Sequence, residues 1–365
     1  MKILVITPRL TIAGVPLAQI RFVKNLISMG HSVDFVVLDV EEGFNYSLIS
    51  GINTLNLRMK RVSFALLRIA MILRTKKPDI VFSAEDHLNF VVILASIISN
   101  SKAKLSCSSR VTPFDTYSKK IFSKGWFLYY LMRIVSYRPE VLSCVSEDMV
   151  LQYKSIFRRS KHTCIYNIVV DEYSKSRMNE DLEFRYFDDF HGVKLIGCGK
   201  LAKWKGFENF ILAISQLKDK LDFRAIILGD GPERDKLEFL IKEHKLQQNI
   251  KLLGYVDNPL PYFKKSDIFV LSSIVEGMPN VLIESMMCGC IPVANDCPTG
   301  PREILNGDLR PYLARYNDVS SLSEKILFAS TNKPFADSVS NTLNKFSSEI
   351  VISKHFKELG FENEI

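Results

Sequence analysis

Two glutamates with seven residues between them, Glu276 and Glu284, lie in a segment that could bind a phosphorylated ligand. The preceding residues Asp267–Ser272 predict a strand, Pro279 suits the first turn of a helix, and Gly289 suits its end. Because the N-terminus of a helix carries unpaired N–H groups and a partial positive charge, it favours a phosphate. One carboxylate precedes the helix and the other lies inside it. The pair could therefore bind two parts of one extended ligand, the hydroxyls of a ribose and a sugar ring beyond the phosphates.

The same two side chains could instead be the catalytic carboxylates of a hydrolase. Glu276 and Glu284 are eight positions apart, and at ~1.5 Å per residue a helix would separate them by ~12 Å. Glycoside hydrolases hold their two carboxyl groups only ~5–9.5 Å apart. The spacing therefore disfavours two-carboxylate hydrolysis.

The elements that would position these residues alternate along the whole chain. Short runs rich in β-branched residues are followed by segments of helical period, which predicts an α/β protein with parallel sheets in two doubly wound domains. Residues 171–192 break this rhythm and are expected to link a first domain at 1–170 to a second at 193–340. Residues 341–365 predict a helix that packs back on the first domain.

The predicted elements are the following. Strands are expected at Lys2–Thr7, Val33–Leu38, Asp79–Ser83, Lys104–Ser109, Val141–Ser146, His162–Tyr166, Val193–Gly197, Arg224–Leu228, Ile250–Leu253, Asp267–Ser272 and Ile291–Ala294, and helices at 15–29, 207–219, 232–245 and 279–288.

Composition excludes several classes of protein. With 365 residues, 47% of them hydrophobic and 24% charged, the chain can fill two hydrophobic cores and is neither disordered nor fibrous. The uncharged apolar run Phe90–Ser99 is about half the ~20 residues that a membrane-spanning helix needs, and because the chain starts with a strand-like segment, no signal peptide is expected. The seven cysteines include no CxxC pair and no directly adjacent histidine, so neither disulfides nor a zinc site are expected.

Basic residues are concentrated in the first half of the chain. Residues 1–170 hold 23 Lys and Arg against 11 Asp and Glu, whereas residues 171–365 hold 25 against 29. In Arg58–Lys77 and Lys119–Arg138, cations stand among apolar and aromatic side chains, which suits the headgroup layer of an anionic membrane. Ordinary amphipathic helices with solvated basic rims would give the same pattern. No helix-turn-helix, RNA-recognition or zinc-finger signature is present, so no nucleic acid partner is expected.

The segment from Glu276 to Ala294 reads E-G-M-P-N-V-L-I-E-S-M-M-C-G-C-I-P-V-A, and other blocks precede and follow it in order. Those blocks are Gly197–Gly206, Leu228–Pro232, Leu253–Val256 and Cys297–Glu303. Together they resemble the retaining nucleotide-sugar glycosyltransferases of family four, with their E-x7-E signature. The resemblance implies two facing Rossmann-like domains, the B-type glycosyltransferase fold (GT-B). It also implies transfer of a sugar from a nucleoside diphosphate to an acceptor hydroxyl, with retained anomeric configuration and no metal.

The resemblance also implies roles for individual residues. Glu284 would bind the ribose hydroxyls, and Glu276 the hydroxyls of the donor sugar or the departing diphosphate. Lys205, and Lys200 where relatives usually have Arg, would neutralise the diphosphate. The donor site would further include Gly199, Gly277, Met278, Pro279, Asn280, Thr299, Gly300 and Glu303, with Asn258 and Pro259 near the base.

The first domain matches the family through fewer residues. Gly14 stands where relatives usually have two glycines, and would let backbone approach a phosphate of the donor. His87 follows the predicted strand Asp79–Ser83 at its carboxyl end, where ligands bind in such sheets, and could orient the acceptor; a purely structural role is the alternative. Arg110 could meet a phosphate of the donor or of a lipid carrier, or form an exposed salt bridge.

The resemblance therefore predicts a cytoplasmic glycosyltransferase, peripheral on the inner face of the cytoplasmic membrane, in the synthesis of a bacterial-type surface polysaccharide, lipopolysaccharide or glycolipid. The stretch Cys297–Leu305 is similar to members that use UDP-N-acetylhexosamines or UDP-galactose. UDP is thus the expected nucleotide, and a lipid-linked saccharide or a glycan the expected acceptor. No cofactor is expected.

Two other functions remain as alternatives. Gly197–Ala202 matches the GxGxxA fingerprint of NAD-dependent oxidoreductases, although the helix that should open inside this motif is delayed by Lys203–Gly206. A protein that binds a sugar nucleotide without turning it over could have the same fold.

Overall fold

The computed structural model describes residues 1–11, 14–157 and 161–361. The chain forms two compact units, Met1–Ile168 with Ser348–Ile365, and Val169–Ser347. The residues expected to be a linker, 171–192, belong to the second unit and carry a short helix.

The first unit contains a seven-stranded, entirely parallel sheet in the order β3-β2-β1-β4-β5-β6-β7. Its central strand, Ile80–Ala84, is buried at every position, as expected when helices cover both faces of a parallel sheet. Its strands are β1 Lys2–Leu10, β2 Ser32–Val40, β3 Asn53–Asn56, β4 Ile80–Ala84, β5 Lys104–Ser109, β6 Val141–Cys144 and β7 His162–Cys164, and its helices before residue 169 are α1 Gly14–Ser28, α2 Leu66–Lys76, α3 Asp86–Ile98, α4 Pro113–Thr116, α5 Lys124–Val135 and α6 Glu147–Ile156.

The second unit contains a six-stranded parallel sheet in the order β10-β9-β8-β11-β12-β13. Its elements are α7 Glu172–Arg177, β8 Val193–Cys198, α8 Phe207–Ser215, β9 Phe223–Leu228, α9 Arg234–Glu243, β10 Ile250–Gly254, α10 Leu260–Lys264, β11 Ile268–Leu271, α11 Asn280–Met287, β12 Ile291–Asn295, α12 Pro301–Ile304, β13 Leu313–Ala314, α13 Val319–Thr331 and α14 Ala336–Asn344.

The prediction of two parallel α/β units is confirmed. Two strands were not predicted, β3 and β13, because the polar edge sequence of β3 (Asn-Thr-Leu-Asn) and the two-residue length of β13 leave no β-branched run to detect. All seven cysteines are free thiols, and five of them are buried.

The last helix, α15 Ser348–Glu358, belongs to the first unit. Ile352 and Phe356 join the same hydrophobic core as Phe22 on α1 and Phe82 on β4. Between them lies the buried His355, whose Nδ1 is 3.2 Å from the Ser106 hydroxyl on β5. Burial, with Arg110 and then Lys354 nearby, lowers the pKa of His355 to about 3.

The low pKa of His355 predicts acid sensitivity of the first unit. Since the folded state holds the imidazole neutral while the unfolded chain takes up a proton below about pH 6.5, stability should fall as the pH drops from 6.5 towards 3. Relative to His355→Gln, the wild type should lose ~2 kcal/mol of unfolding free energy between pH 7 and pH 5. Urea unfolding followed by Trp126 fluorescence, in a Trp204→Phe background, measures this. Equal pH dependence in the two proteins would refute the assignment.

Candidate active site

A partly buried ion pair lies at the carboxyl end of the second sheet. The Lys205 Nζ is 2.5 Å from Oε1 of Glu276, and the two side chains are only 21% and 10% exposed. The Ser273 hydroxyl donates to the same carboxylate oxygen at 2.6 Å. The carboxylate is therefore fixed by a cation and a hydroxyl, with little water around it.

Backbone and hydroxyl contacts hold the two loops that carry this pair. The Ser272 hydroxyl donates to the carbonyl of Lys205 at 3.0 Å, and the Ile274 N–H donates to the carbonyl of Trp204 at 2.8 Å. The Thr299 hydroxyl donates to the carbonyl of Glu276. These residues follow β8, β11 and β12, which are neighbours in the sheet, so their loops emerge at one edge.

The approach of the first two loops requires a glycine at position 206. Gly206 has φ +62°, and a Cβ added there would lie 2.2 Å from the carbonyl oxygen of Ser272. Gly300 likewise allows a close approach in the loop after β12, where an added Cβ would be 2.6 Å from Cδ of Pro279. Both glycines therefore allow backbone contacts that any side chain would prevent.

Glu284 lies on α11, the helix that begins just after Pro279, and its side chain is half-buried. Burial, and then the nearby Glu284 carboxylate, raise the pKa of the Cys198 thiol to about 12, although Lys205 opposes them. Cys297 also has a pKa near 12, because burial and then Glu276 raise it while Lys205 lowers it less. The charges of both glutamates and of Lys205 thus influence the pKa values of thiols at this sheet edge. A thiol with so high a pKa is not a nucleophile at neutral pH.

The other predicted donor residues surround this pair or lie close to it in sequence. Lys200 lies in the same loop as Lys205, and it is exposed. Gly199 precedes it directly after β8. The remainder are Gly277, Met278 and Pro279 in the turn before α11, Asn280 at the start of α11, and Thr299, Gly300 and Glu303 at α12.

Asn258 has a structural role within the second unit. Its amide nitrogen donates to the carbonyl of Arg177 at 2.8 Å and to Oε2 of Glu180 at 2.6 Å. These bonds tie the residues just before α10 to the end of α7 and the segment after it. The Asn258 side-chain amide thus forms its hydrogen bonds within the second unit.

The oxidoreductase alternative does not match the local structure. Strand β8 ends at Cys198, a 3-10 turn covers Lys203–Lys205, and α8 begins only at Phe207. The dinucleotide fingerprint requires a helix that opens within the glycine motif, so that its N-terminus faces the pyrophosphate. Here the residues between strand and helix instead place Lys205 beside Glu276.

The predicted residues of the first unit lie after β1, β4 and β5. His87 lies on the first turn of α3 with its side chain 48% exposed and its Nδ1 3.7 Å from Oε2 of Glu85, and partial burial lowers its pKa. Arg110 donates to Oδ1 of Asn167, and burial lowers its pKa to about 10 although Glu85 opposes this. Gly14 is the first residue of α1.

Arg110 lines a cavity in the first unit. Its Nε is buried and has no hydrogen-bond partner among the described residues. The other polar residues of the cavity wall are Gln19, Ser83, Ser106, Ser108, Asn167 and His355. The cavity therefore offers a guanidinium and several hydroxyl and amide groups.

Sequence analysis missed two residues of these sites. Ser273 supports Glu276, and a single Ser after a strand gives no sequence signal for such a contact. Glu85 lies between His87 and Arg110 and has φ +78°, a backbone conformation that is uncommon for a residue other than glycine. Burial raises the pKa of Glu85, while Arg110 lowers it.

In residues 1–11, 14–157 and 161–361, no cluster of three His, Cys, Asp or Glu side chains is arranged to hold a metal ion. Over the same residues, no helix combines the length and apolarity required to cross a bilayer.

Replacing Gly206 should disrupt the loop that carries Lys205. Gly206→Ala adds a Cβ against the Ser272 carbonyl, whereas Gly289→Ala adds one at φ +94° with nothing within 4 Å. The control should lower the free energy of unfolding by only the ~1–2 kcal/mol that an alanine in a left-handed conformation costs. Gly206→Ala should lower the free energy of unfolding by more than this. Urea unfolding followed by Trp204 fluorescence in a Trp126→Phe background compares them. Equal losses would show that the loops are not in contact.

The sequence of this chain is similar to those of known glycosyltransferases. The family model described as "Glycosyl transferases group 1" matches residues 192–346. An uncharacterized glycosyltransferase of Methanocaldococcus jannaschii is 32% identical over 68% of this chain, which spans 65% of that protein's length. The Campylobacter jejuni N-acetylgalactosamine-N,N'-diacetylbacillosaminyl-diphospho-undecaprenol 4-alpha-N-acetylgalactosaminyltransferase is 26% identical over 84% of this chain and 82% of its own.

Solved structures share the fold of the whole chain. Anabaena HepE, crystallised in complex with UDP, superposes with a TM-score of 0.77 at 17% identity, over 99% of this chain and 100% of its own. At that identity the likeness shows the fold alone, two Rossmann-like domains of the GT-B type. Residues 192–346 thus match the glycosyl transferases group 1 family, the similar proteins are named as glycosyltransferases, and the chain has the GT-B fold.

Proposed function

We propose that this chain transfers an N-acetylhexosamine or hexose from a UDP-sugar to a lipid-linked saccharide or glycan, with retention of anomeric configuration and without a metal ion. The observation that carries the proposal is the Lys205–Glu276 pair beside the N-terminus of α11. A cation, a carboxylate and helix N–H groups at one sheet edge match the diphosphate and the hydroxyls of a nucleotide sugar. The Campylobacter relative is named for such a transfer to a diphospho-undecaprenol-linked saccharide.

Lys205 is the proposed partner of the diphosphate. In the structure its ammonium neutralises Glu276, and a diphosphate bound alongside would compete for the same donor. Glu276 would then accept hydrogen bonds from the sugar while Ser273 keeps its carboxylate in place. Glu284, one turn into α11, binds the ribose hydroxyls, and the exposed Lys200 adds positive charge near the phosphates.

In this proposal, the enzyme accelerates sugar transfer by stabilising the charge that develops on the departing diphosphate. The bond between the anomeric carbon and the diphosphate oxygen breaks, the acceptor oxygen bonds to that carbon on the same face, and the acceptor's proton passes to the diphosphate. Negative charge therefore grows on the leaving group, where Lys205 and the partial positive charge at the N-terminal end of α11 stabilise it. This mechanism needs orientation rather than a protein nucleophile.

The remaining predicted residues complete the two substrate sites. The turn Gly277–Pro279, Asn280 and the loop of Thr299, Gly300 and Glu303 would shape the donor site, together with Gly199 and Gly14. His87 and Arg110 would bind the acceptor, with Arg110 directed at a phosphate. The enzyme would work in the cytoplasm, bound to the inner face of the cytoplasmic membrane, in surface polysaccharide or lipopolysaccharide synthesis.

A panel of nucleotide sugars tests the proposal. The protein is incubated with UDP-, GDP- and ADP-sugars and a lipid-linked acceptor, and released nucleoside diphosphate is measured with and without a chelator. We expect UDP release with at least one UDP-sugar, unaffected by the chelator, and an α-linked product from an α-linked donor. GDP release alone would refute the nucleotide assignment, and dependence on an added divalent metal would refute the mechanism.

Glu276→Gln separates catalysis from binding in the same assay. Loss of the carboxylate should lower kcat by ~100-fold or more, the size expected for a group that acts in the transition state, while UDP still binds. The control is Glu243→Gln, an exposed residue at the end of α9, which should keep wild-type turnover. A wild-type protein that binds UDP-sugars but releases no diphosphate with any acceptor would instead be a non-catalytic sensor.

A further inference from the structure

We propose that the outer surface of α2, α3 and α5 in the first unit, with the loop 119–123, docks on an anionic phospholipid bilayer. This surface is called the basic face below. The proposal deepens the proposed function, because it states how the enzyme would reach a lipid-linked acceptor, but membrane binding itself can be tested without turnover.

The three helices form one continuous layer. Helix α3 packs against α2 on one side and against α5 on the other. The core-facing sides of α2 and α5, including Ile69, Leu73 and Met132, are buried. What remains outside is therefore a single surface of the first unit rather than two separate helix faces.

This surface exposes large apolar side chains that nothing in the described chain covers. On the α2 side, Phe64 is 67% and Leu67 73% exposed, and on α5, Ile134 is 68% exposed. A water-facing helix would normally carry polar residues at such positions. The layer also exposes Met71, Ile97, Ile98, Phe127, Tyr130, Leu131 and Tyr137. So many exposed apolar side chains on one layer of helices mark an interaction surface.

The loop before α5 presents the most exposed ring of the surface. Phe122 is 79% exposed and has φ +64°, a conformation rarely adopted by a bulky residue. Its ring lies 5.8 Å from that of Trp126, which lies 4.7 Å from the ring of Tyr130. This row of rings has both apolar faces and polar N–H and O–H groups, which suits the boundary between headgroups and acyl chains.

The charge of the basic face is almost entirely positive. Residues 57–77 contain seven Lys and Arg and no Asp or Glu. One of these cations, Lys76, pairs with Asp34 at 2.9 Å outside the segment. Lys119, Lys120 and Lys124 add three exposed cations next to Phe122 and Trp126. Basic side chains beside exposed apolar ones complement the negative headgroups and the acyl layer of an anionic bilayer.

The positive charge and the aliphatic side chains of the basic face argue against two other partners, a second copy of the chain and a nucleic acid. A second copy of the chain would bring an equally positive face into contact, and like charges repel. A nucleic acid would match the cations but not the aliphatic Leu67, Met71 and Ile134, which have no flat ring for stacking on bases. A bilayer with anionic headgroups matches both properties.

Vesicle sedimentation of the full-length protein tests the proposal. We expect binding to phosphatidylcholine vesicles with a quarter phosphatidylglycerol at 50 mM salt, and little binding to pure phosphatidylcholine or at 500 mM salt. Lys119→Gln/Lys120→Gln/Lys124→Gln, and separately Phe122→Ser/Ile134→Gln, should each weaken binding at least about tenfold. The matched control is Lys220→Gln/Lys242→Gln/Lys333→Gln, three exposed lysines of the second unit, which should bind as the wild type does.

Three results would overturn the proposal: unchanged binding in both face variants, equal binding to neutral vesicles, or a concentration-dependent dimer that Phe122→Ser/Ile134→Gln abolishes. Transfer to a short-chain, water-soluble acceptor separates this failure from failure of the proposed function. If that transfer persists without vesicle binding, only the docking surface is wrong. If vesicles bind as expected but no sugar is transferred, the docking surface stands and the proposed function falls.

Discussion

The ion pair between Lys205 and Glu276 is the contact on which the site depends. Either charge alone, at this degree of burial, would be costly, and removal of one partner would leave the other without compensation. Together the two charges compensate each other, and the Ser273 hydroxyl donates to the same Glu276 oxygen that Lys205 contacts. In the proposed function, a ligand with a diphosphate at one end and hydroxyls at the other would satisfy both side chains, and the pair would be a preformed recognition element.

The parallel sheet brings this pair together. Lys205 follows β8 and Glu276 follows β11, and although 71 residues separate them, the two strands are hydrogen-bonded neighbours. Parallel pairing places the carboxyl ends of neighbouring strands at one edge. Gly206 and Gly300 then let the loops approach more closely than residues with side chains allow. The chemistry of the site thus follows from strand order plus two permissive backbone positions.

Much of the fold could be predicted from sequence because its signals are local. The β-branched runs and helical periods of both units are contiguous, as is the segment from Glu276 to Glu284. Ser273 gives no such signal, since a hydroxyl near a carboxylate is a tertiary contact. The roles of Glu85 beside Arg110, and of Asn258 in binding the segment after α7, likewise depend on residues distant in sequence. Edge strands β3 and β13 were missed because neither has the pattern of a buried strand.

The most direct measurement compares the affinities of UDP and uridine for the wild type and for Lys205→Met, a neutral side chain of similar length. If Lys205 binds the diphosphate, the substitution weakens UDP binding by ~10–100-fold, as expected for loss of a charge-assisted hydrogen bond. The affinity for uridine, which has no phosphate, stays the same. Equal UDP affinities in the two proteins would contradict the account.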